Sequence, residues 1–173
     1  MERGAAPHVI TYNALISACE KGQQWQRALG LLRELRTVEL SPTVTTYNAA
    51  LSACEKARQW ELAFTLLDEM VGLSLEPETI THNVVISACG NSQQWERALD
   101  ELAEMLRARV DPDVVTYTAA VSACEKGEQW ERALSLLNGM RSGLVEAGLV
   151  AYNSAISACE KGLRWEWALQ LLG

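Results

Sequence analysis

Histidine is scarce in this chain, with only His8 and His82 among 173 residues. No histidines and cysteines are grouped within a few positions of one another, as the ligands of a zinc site usually are. A glycine-rich phosphate loop and a recognisable nucleophile–base pair are also missing from the sequence. We therefore expect no metal site, no cofactor and no catalytic activity in this chain.

Long apolar runs are missing too, since no segment approaches the roughly 18 consecutive apolar residues of a membrane helix. Hydrophobic residues still make up 49% of the chain, which indicates a packed core and not a disordered segment. Residues 1–7 are too few for a signal or transit peptide ahead of the pattern described below. The five cysteines are an odd number without a secretory signal, so we expect buried, reduced thiols.

Positive charge is in short supply, because 22 acidic residues outnumber 15 basic ones and give a formal net charge of −7. Proteins that bind nucleic acids are usually basic, since neutralising phosphates supplies most of their non-specific affinity. Any nucleic-acid surface on this chain must therefore carry its positive charge locally.

What the chain does contain is a repeat of 35 residues. The columns that recur at this interval are Tyr12, Tyr47, His82, Tyr117 and Tyr152; Cys19, Cys54, Cys89, Cys124 and Cys159; Trp25, Trp60, Trp95, Trp130 and Trp165; and Pro7, Pro42, Pro77 and Pro112. A fixed period of this length predicts a solenoid, in which each unit buries its apolar face against its neighbours. We expect four complete repeats (9–43, 44–78, 79–113 and 114–148), a truncated fifth (149–173), and in residues 1–8 the tail of a preceding repeat.

Each repeat is expected to form two helices, because apolar residues twice follow the i, i+3, i+4, i+7 spacing of a helical face. In the first repeat these two faces are Tyr12, Leu15, Ile16 and Cys19, and then Trp25, Ala28, Leu29 and Leu32. The cysteine and tryptophan columns lie on these faces, so we expect both to fill the core. Gly22, Gly127 and Gly162 suit a left-handed residue at a helix end. The predicted fold is all-α, built from stacked antiparallel helix pairs.

The repeat resembles that of the pentatricopeptide family. The similarity rests on the 35-residue period, on the opening Val9–Ile16, and on Val114–Tyr117 preceded by Pro112 and Asp113. It extends over residues 9–173, whereas tetratricopeptide repeats have a 34-residue period and another pattern. The resemblance implies a right-handed α-solenoid that binds single-stranded RNA selectively, one nucleotide per repeat. It also implies a place in mitochondria or chloroplasts, in RNA processing, stability or translation.

A polar stripe lies on the other face of the first predicted helix, at Asn13, Ser17, Glu20 and Lys21. Its serine recurs in every copy, as Ser17, Ser52, Ser87, Ser122 and Ser157. Stacked repeats would place these stripes side by side. Such a stripe is by itself typical of an ordinary solvated face, and it is the family resemblance that favours an RNA-binding surface.

In the family, the fifth and the last residue of a repeat together select the base. The resemblance therefore implies base-reading by Asn13 with Thr43, Asn48 with Glu78, Asn83 with Asp113, Thr118 with Gly148, and Asn153. An asparagine amide offers both a donor and an acceptor to a base edge. Asn83 with Asp113 matches the uridine-reading pair, Thr118 indicates a purine, and Glu78 and Gly148 depart from the usual last residues. The implied target is 5′-pyrimidine-pyrimidine-uridine-purine-pyrimidine-3′.

The same resemblance implies RNA contacts for two further sets of equivalent residues. The base-sandwiching second position is occupied by Ile10, Thr45, Ile80, Val115 and Val150, with threonine breaking the aliphatic series. The phosphate-contacting column contains Lys21, Lys56, Lys126 and Lys161, and Asn91 interrupts it. An acidic residue directly precedes each of these lysines, so we expect modest RNA affinity.

A second reading is a solenoid that binds proteins, which the acidic balance and the glutamate beside each lysine favour. The C-terminal stripe of Trp165, Ala168, Leu169 and Leu172, with Trp167 beside it, has no capping helix after it. We therefore expect fraying or self-association at that end.

Overall fold

The computed structural model describes residues 8–142 and 145–171. Within these residues there are ten helices and no strand, which confirms the all-α prediction for this part of the chain. None of the helices in these two ranges is long and apolar enough to cross a membrane. The first helices of the repeats are α1 (Val9–Lys21), α3 (Val44–Lys56), α5 (Thr79–Asn91), α7 (Val114–Lys126) and α9 (Leu149–Lys161). The second helices are α2 (Trp25–Thr37), α4 (Trp60–Gly72), α6 (Trp95–Arg107), α8 (Trp130–Ser142) and α10 (Trp165–Gln170).

The chain divides into two compact units, Met1–Pro77 and Glu78–Gly173. In the first unit α1 packs beside α3, and α2 packs against both of them. In the second unit α5, α7 and α9 pack side by side, while α6 and α8 each contact their own first helix and the following one. Within each unit the first helices therefore form a layer, and their polar stripes become neighbours.

Every first helix ends in the same hydrogen-bonded turn. After α1, the Gln24 N–H donates to the Cys19 carbonyl at 2.8 Å and the Gln23 N–H donates to the Glu20 carbonyl at 3.1 Å. This is a Schellman motif, which satisfies carbonyl groups that the helix end would otherwise leave without donors. Its left-handed residue is not glycine, since φ is +55° at Gln23 and similar at the equivalent residues Arg58, Gln93, Glu128 and Leu163.

The prediction that the helix-end glycines take up the left-handed conformation is therefore wrong, because each glycine precedes the left-handed residue. The φ angles of Gly127 and Gly162 are −86° and −78°. These two residues lie against the tryptophans of the preceding repeat. A Cβ atom on Gly127 would lie 2.2 Å from Cδ1 of Trp95, and one on Gly162 would lie 2.4 Å from Cδ1 of Trp130. Close approach of an indole, and not backbone conformation, explains these glycines.

The cysteine column lies in the core as predicted, with four of its members buried and Cys19 partly exposed. The tryptophans are only half-buried at positions 25, 60, 95 and 130. For Trp165 the prediction of core packing is wrong, because its side chain is 66% exposed. Trp95 and Trp130 are covered by the helix end of the next repeat, and no further helix pair follows α10 among the described residues.

Trp167 and Leu169 on α10 are also exposed. Leu172, which belongs to the predicted C-terminal stripe, lies outside the described residues, as does Pro7. The self-association expected at this end stays a prediction, which sedimentation over a range of protein concentrations tests.

The buried thiols should be unreactive in the folded protein. Burial raises the pKa of Cys54 and of Cys124 to about 11. Burial, with a further contribution from the Glu101 carboxylate, raises the pKa of Cys89 to about 12. Since the thiolate is the reactive species, iodoacetamide at neutral pH should modify these three residues only after the protein is unfolded in urea. Cys19 should react first, and mass spectrometry over time gives the order. Equal rates for all the cysteines in the native protein would contradict this packing.

Candidate nucleic-acid interface

The last residue of each repeat directly precedes the first helix of the next repeat. In the third repeat, this places its last residue, Asp113, beside its fifth residue, Asn83. Nδ2 of Asn83 donates to Oδ1 of Asp113 at 3.1 Å. Asp113 is the N-cap residue of α7, and the same oxygen accepts from the Thr116 N–H at 2.8 Å and from its hydroxyl at 2.9 Å. The Thr116 hydroxyl in turn accepts from the Asp113 N–H at 3.0 Å. This capping box fixes the carboxylate, which in turn fixes the Asn83 amide.

Asp113 is held as a carboxylate by these contacts. Partial desolvation acts to raise its pKa, but hydrogen bonds from the Thr116 backbone and hydroxyl, the Asn83 amide and the Val115 backbone outweigh that effect, so the pKa is lowered. Its contribution to stability is therefore fully present above the ordinary value of 3.8 and is lost as the pH falls through the lower folded value.

The Asn83 amide has an unused acceptor. The residue is only 8% exposed, and its buried Oδ1 accepts no hydrogen bond from the described part of the protein. A buried polar atom without a partner calls for an explanation. Because Nδ2 is already bonded to Asp113, Oδ1 is the atom of the amide whose hydrogen-bonding capacity stays unused.

The other base-reading candidates are arranged differently. Oδ1 of Asn13 accepts from the Thr46 hydroxyl at 2.6 Å, and that hydroxyl lies 3.0 Å from the hydroxyl of Thr43, the N-cap of α3. The first pair is thus connected through Thr46. Thr118 donates its hydroxyl to the Val114 carbonyl at 2.6 Å, and Gly148 has no side chain to meet it. In the remaining repeats, Asn48 is half-buried on α3, Glu78 is the exposed N-cap of α5, and Asn153 is exposed on α9.

The second-position residues leave apolar surface in contact with solvent. Ile10 is 80% exposed, and Ile80, Val115 and Val150 are each about 60% exposed. Thr45 is exposed as well. Apolar groups that recur at one exposed position per repeat are typical of a binding surface, since burial elsewhere in the fold would have been more favourable.

In the second unit several of these candidates line one groove of about 420 Å³ along α5, α7 and α9. It contains Asn83 and Thr118 from the base-reading set, Val115 and Val150 from the base-sandwiching set, and Lys126 from the phosphate-contacting set. The structure thus brings the three predicted classes of residue together on one surface of this unit.

The lysine column is bonded to the preceding repeat. Nζ of Lys56 lies 2.5 Å from Oε1 of Glu20, and Nζ of Lys161 lies 2.6 Å from Oε1 of Glu125. Each partner comes 36 positions earlier, on the neighbouring first helix. The acid directly before each lysine is visible in the sequence, whereas this pairing across repeats was not predicted from it. Lys21 is exposed on α1.

The core next to Asn83 contains a buried pair, His82 and Glu101, that the sequence pattern did not predict. Nδ1 of His82 lies 2.7 Å from Oε1 of Glu101, and both side chains are about 95% buried. No group of three or more histidine, cysteine or acidic side chains that could hold a metal ion is found in the regions that the structure describes.

Comparison with protein families decides the identity of the repeat. The model described as PPR repeat family matches residues 42–91 and 77–126. The model of the pentatricopeptide repeat domain matches residues 1–57 and 102–161, and the PPR repeat model matches residues 150–173. The chain belongs to the pentatricopeptide repeat family. No curated protein sequence matches this pentatricopeptide repeat chain.

Solved pentatricopeptide repeat structures are similar to it over nearly its whole length. PPR10 in complex with an 18-nt psaJ RNA element is 28% identical, with a TM-score of 0.85 over 98% of this chain. A second structure, of PPR10 from maize, is 22% identical, with a TM-score of 0.83 over 98% of this chain. The PPR domain of Arabidopsis thaliana protein-only RNase P 1, in complex with tRNA, is 16% identical over 92% of this chain and 84% of that one, with a TM-score of 0.78. This chain spans about a quarter of the length of PPR10.

Proposed function

We propose that this pentatricopeptide repeat chain binds single-stranded RNA sequence-selectively, one nucleotide per repeat, and acts in organellar RNA processing, stability or translation. The observation that carries the proposal is the groove in which Asn83, Val115, Thr118, Val150 and Lys126 meet. The similarity to PPR10, which was solved with an RNA element, supports it.

The groove offers the two kinds of contact that an unstacked base requires. The exposed aliphatic side chains of Val115 and Val150 provide apolar surface for a base face. The Oδ1 atom of Asn83 is a hydrogen-bond acceptor without a donor, and the imino N–H of uracil is a suitable donor at the base edge. Asp113 holds the other end of the amide, so the acceptor cannot exchange places with the donor without losing that hydrogen bond. This arrangement favours uridine in the third repeat.

The phosphate contacts are few, so salt should weaken binding only moderately. Four lysines, if all of them contact phosphates, set a slope of log K against log salt of at most about −0.7 × 4, or roughly −3, for single strands. The overall charge of −7 acts against binding beyond these local contacts.

A direct test is fluorescence anisotropy of the purified chain with a labelled RNA of sequence 5′-UUUAU-3′. We expect saturable binding at low salt, weaker binding to a duplex that contains the same strand, and a salt slope no steeper than roughly −3. An RNA of sequence 5′-UUAAU-3′ is the matched control, because it differs only in the third base, and it should bind less tightly because adenine lacks the imino donor. No binding to any single strand at low salt would overturn the proposal and would favour a protein partner.

A further inference from the structure

We infer that the junction between the third and fourth repeats anchors the RNA backbone, and that Lys126 contributes more affinity than Lys56 or Lys161. The inference rests on the proposed function and deepens it, because it assigns unequal roles to lysines that occupy one column of the repeat. The group recognised is the phosphodiester of single-stranded RNA.

The difference begins with the partners of the lysines. Lys56 and Lys161 each contact a carboxylate of the preceding first helix, at 2.5 and 2.6 Å. Lys126 instead donates to the amide oxygen of Asn91, at 2.7 Å. The amide accepts the hydrogen bond without bringing a negative charge to the ammonium group.

The cause lies in the residue 36 positions before each lysine. For Lys56 and Lys161 that residue is Glu20 and Glu125, whereas for Lys126 it is Gly90. A side chain at Gly90 would be in tight contact with α7, since a Cβ atom there would lie 3.0 Å from Cβ of Ala123 and 3.3 Å from its Cα. Gly90 packs tightly against α7 at this point, and the third repeat has no glutamate at the position that pairs with the other two lysines.

The consequence for an anion is electrostatic. A phosphate that approaches Lys56 or Lys161 must share the ammonium group with a carboxylate and is repelled by that carboxylate at short range. Solvent exposure does not distinguish the three lysines. The Lys56 and Lys161 side chains are 42% and 39% exposed, and Lys126 is exposed as well. Lys126 offers a cation whose observed partner is a neutral amide, and phosphate can replace that amide oxygen at little cost.

The same junction also holds the base-reading side chains. Lys126 and Asn91 line the groove that contains Asn83, Val115 and Thr118. The phosphate between the third and fourth nucleotides is therefore the one expected at Lys126, with the uridine position beside it.

The experiment compares single alanine variants of the full chain, with 5′-UUUAU-3′ RNA as the probe. Lys126→Ala should weaken binding roughly tenfold, as expected for loss of a charge-assisted hydrogen bond, and should reduce the magnitude of the salt slope by about 0.7. Lys161→Ala is the matched control, since it changes the same column in the same unit, and it should weaken binding by less than about threefold. Lys56→Ala should behave like Lys161→Ala.

Asn91→Asp tests the cause with little change of shape, because it places a carboxylate beside Lys126. This variant should weaken binding to a level similar to that of Lys126→Ala. Equal losses for Lys126→Ala and Lys161→Ala, or unchanged binding by Asn91→Asp, would overturn the inference while leaving RNA binding intact. Failure of the parent chain to bind any single-stranded RNA would instead overturn the proposed function. Circular dichroism of the lysine variants should match the parent, since all the substituted lysines are exposed on helices, and the same measurement checks that Asn91→Asp, at a half-buried position, is folded.

Discussion

Replacing His82 with tyrosine is expected to lower the free energy of unfolding by about 3–5 kcal/mol, because it leaves the buried Glu101 carboxylate without its partner. The two side chains are about 95% buried and their polar atoms lie 2.7 Å apart. A buried acid that loses its hydrogen-bonded partner retains its desolvation cost without that compensation. Urea denaturation followed by circular dichroism measures the change.

The repeats themselves supply the compensating substitution. The other repeats have tyrosine where the third has His82, and they have leucine where it has Glu101, at positions 31, 66, 136 and 171. The double variant His82→Tyr/Glu101→Leu should therefore regain the lost stability and equal or exceed the parent, by up to about 4 kcal/mol. The introduced phenol also has an expected partner in Glu104, which lies 22 positions on, as Glu34 does from Tyr12.

The double-mutant cycle separates coupling from simple loss of packing. Glu101→Leu alone should cost less than His82→Tyr alone, about 1–3 kcal/mol, because it leaves a buried imidazole and not a buried carboxyl group without a partner. If the effects of the two single substitutions add up in the double variant, the two residues are not coupled and the account of this pair is wrong.

Replacing Asn83 with threonine is expected to reduce the preference for uridine at the third nucleotide by roughly tenfold. The substitution removes both the Oδ1 acceptor and the amide that donates to Asp113. The chain already contains threonine at this position in α7, where the Thr118 hydroxyl turns back to the Val114 carbonyl. The helix should therefore accept the change, and the effect should fall on base choice more than on folding.

Competition between RNAs that differ only in their third base measures this effect. The preferences at the neighbouring nucleotides should stay as they are, because each base-reading pair lies at its own junction. Ser87→Ala is a suitable control, since Ser87 lies on the same helix and lines the same groove but is not one of the base-reading residues. If Ser87→Ala changes the third-base preference as much as Asn83→Thr does, the role assigned to Asn83 is wrong.

The architecture could be predicted from the sequence because the same helical pattern recurs in every repeat, which makes up for the weak evidence of any single stretch. One helical stripe is weak evidence, but the cysteine column recurs five times at a fixed interval, and four of its members are indeed buried. The start of each first helix follows from the same columns. Capping by Asp113 strengthens one such start, since aspartate before an apolar helix is a strong N-cap residue.

What the sequence could not show depends on distances between repeats. The pairing of Lys56 with Glu20, and not with the adjacent Glu55, follows from how neighbouring first helices pack. The glycine at position 127 was assigned to backbone conformation, yet its cause is the indole of Trp95, 32 positions earlier in the chain. Periodicity predicts which residues occupy equivalent positions in the repeats. It does not predict which of these positions contact each other between neighbouring repeats.

The buried pair was missed for a related reason. His82 and Glu101 each depart from their own column, and neither substitution alone indicates a partner. Only their contact in the second unit explains both departures together. A search for two columns that change in the same repeat would have found this pair from the sequence.

Selection of RNAs from a random single-stranded pool by the purified chain tests the central claim most directly. We expect the retained RNAs to share a register of pyrimidine, pyrimidine, uridine, purine and pyrimidine, with uridine at the third position the most strongly enriched base. That result follows from Asn83 held by Asp113 beside the groove of the second unit. A retained pool without sequence bias at the third position, or no retained RNA at all, would contradict sequence-selective RNA binding by this chain.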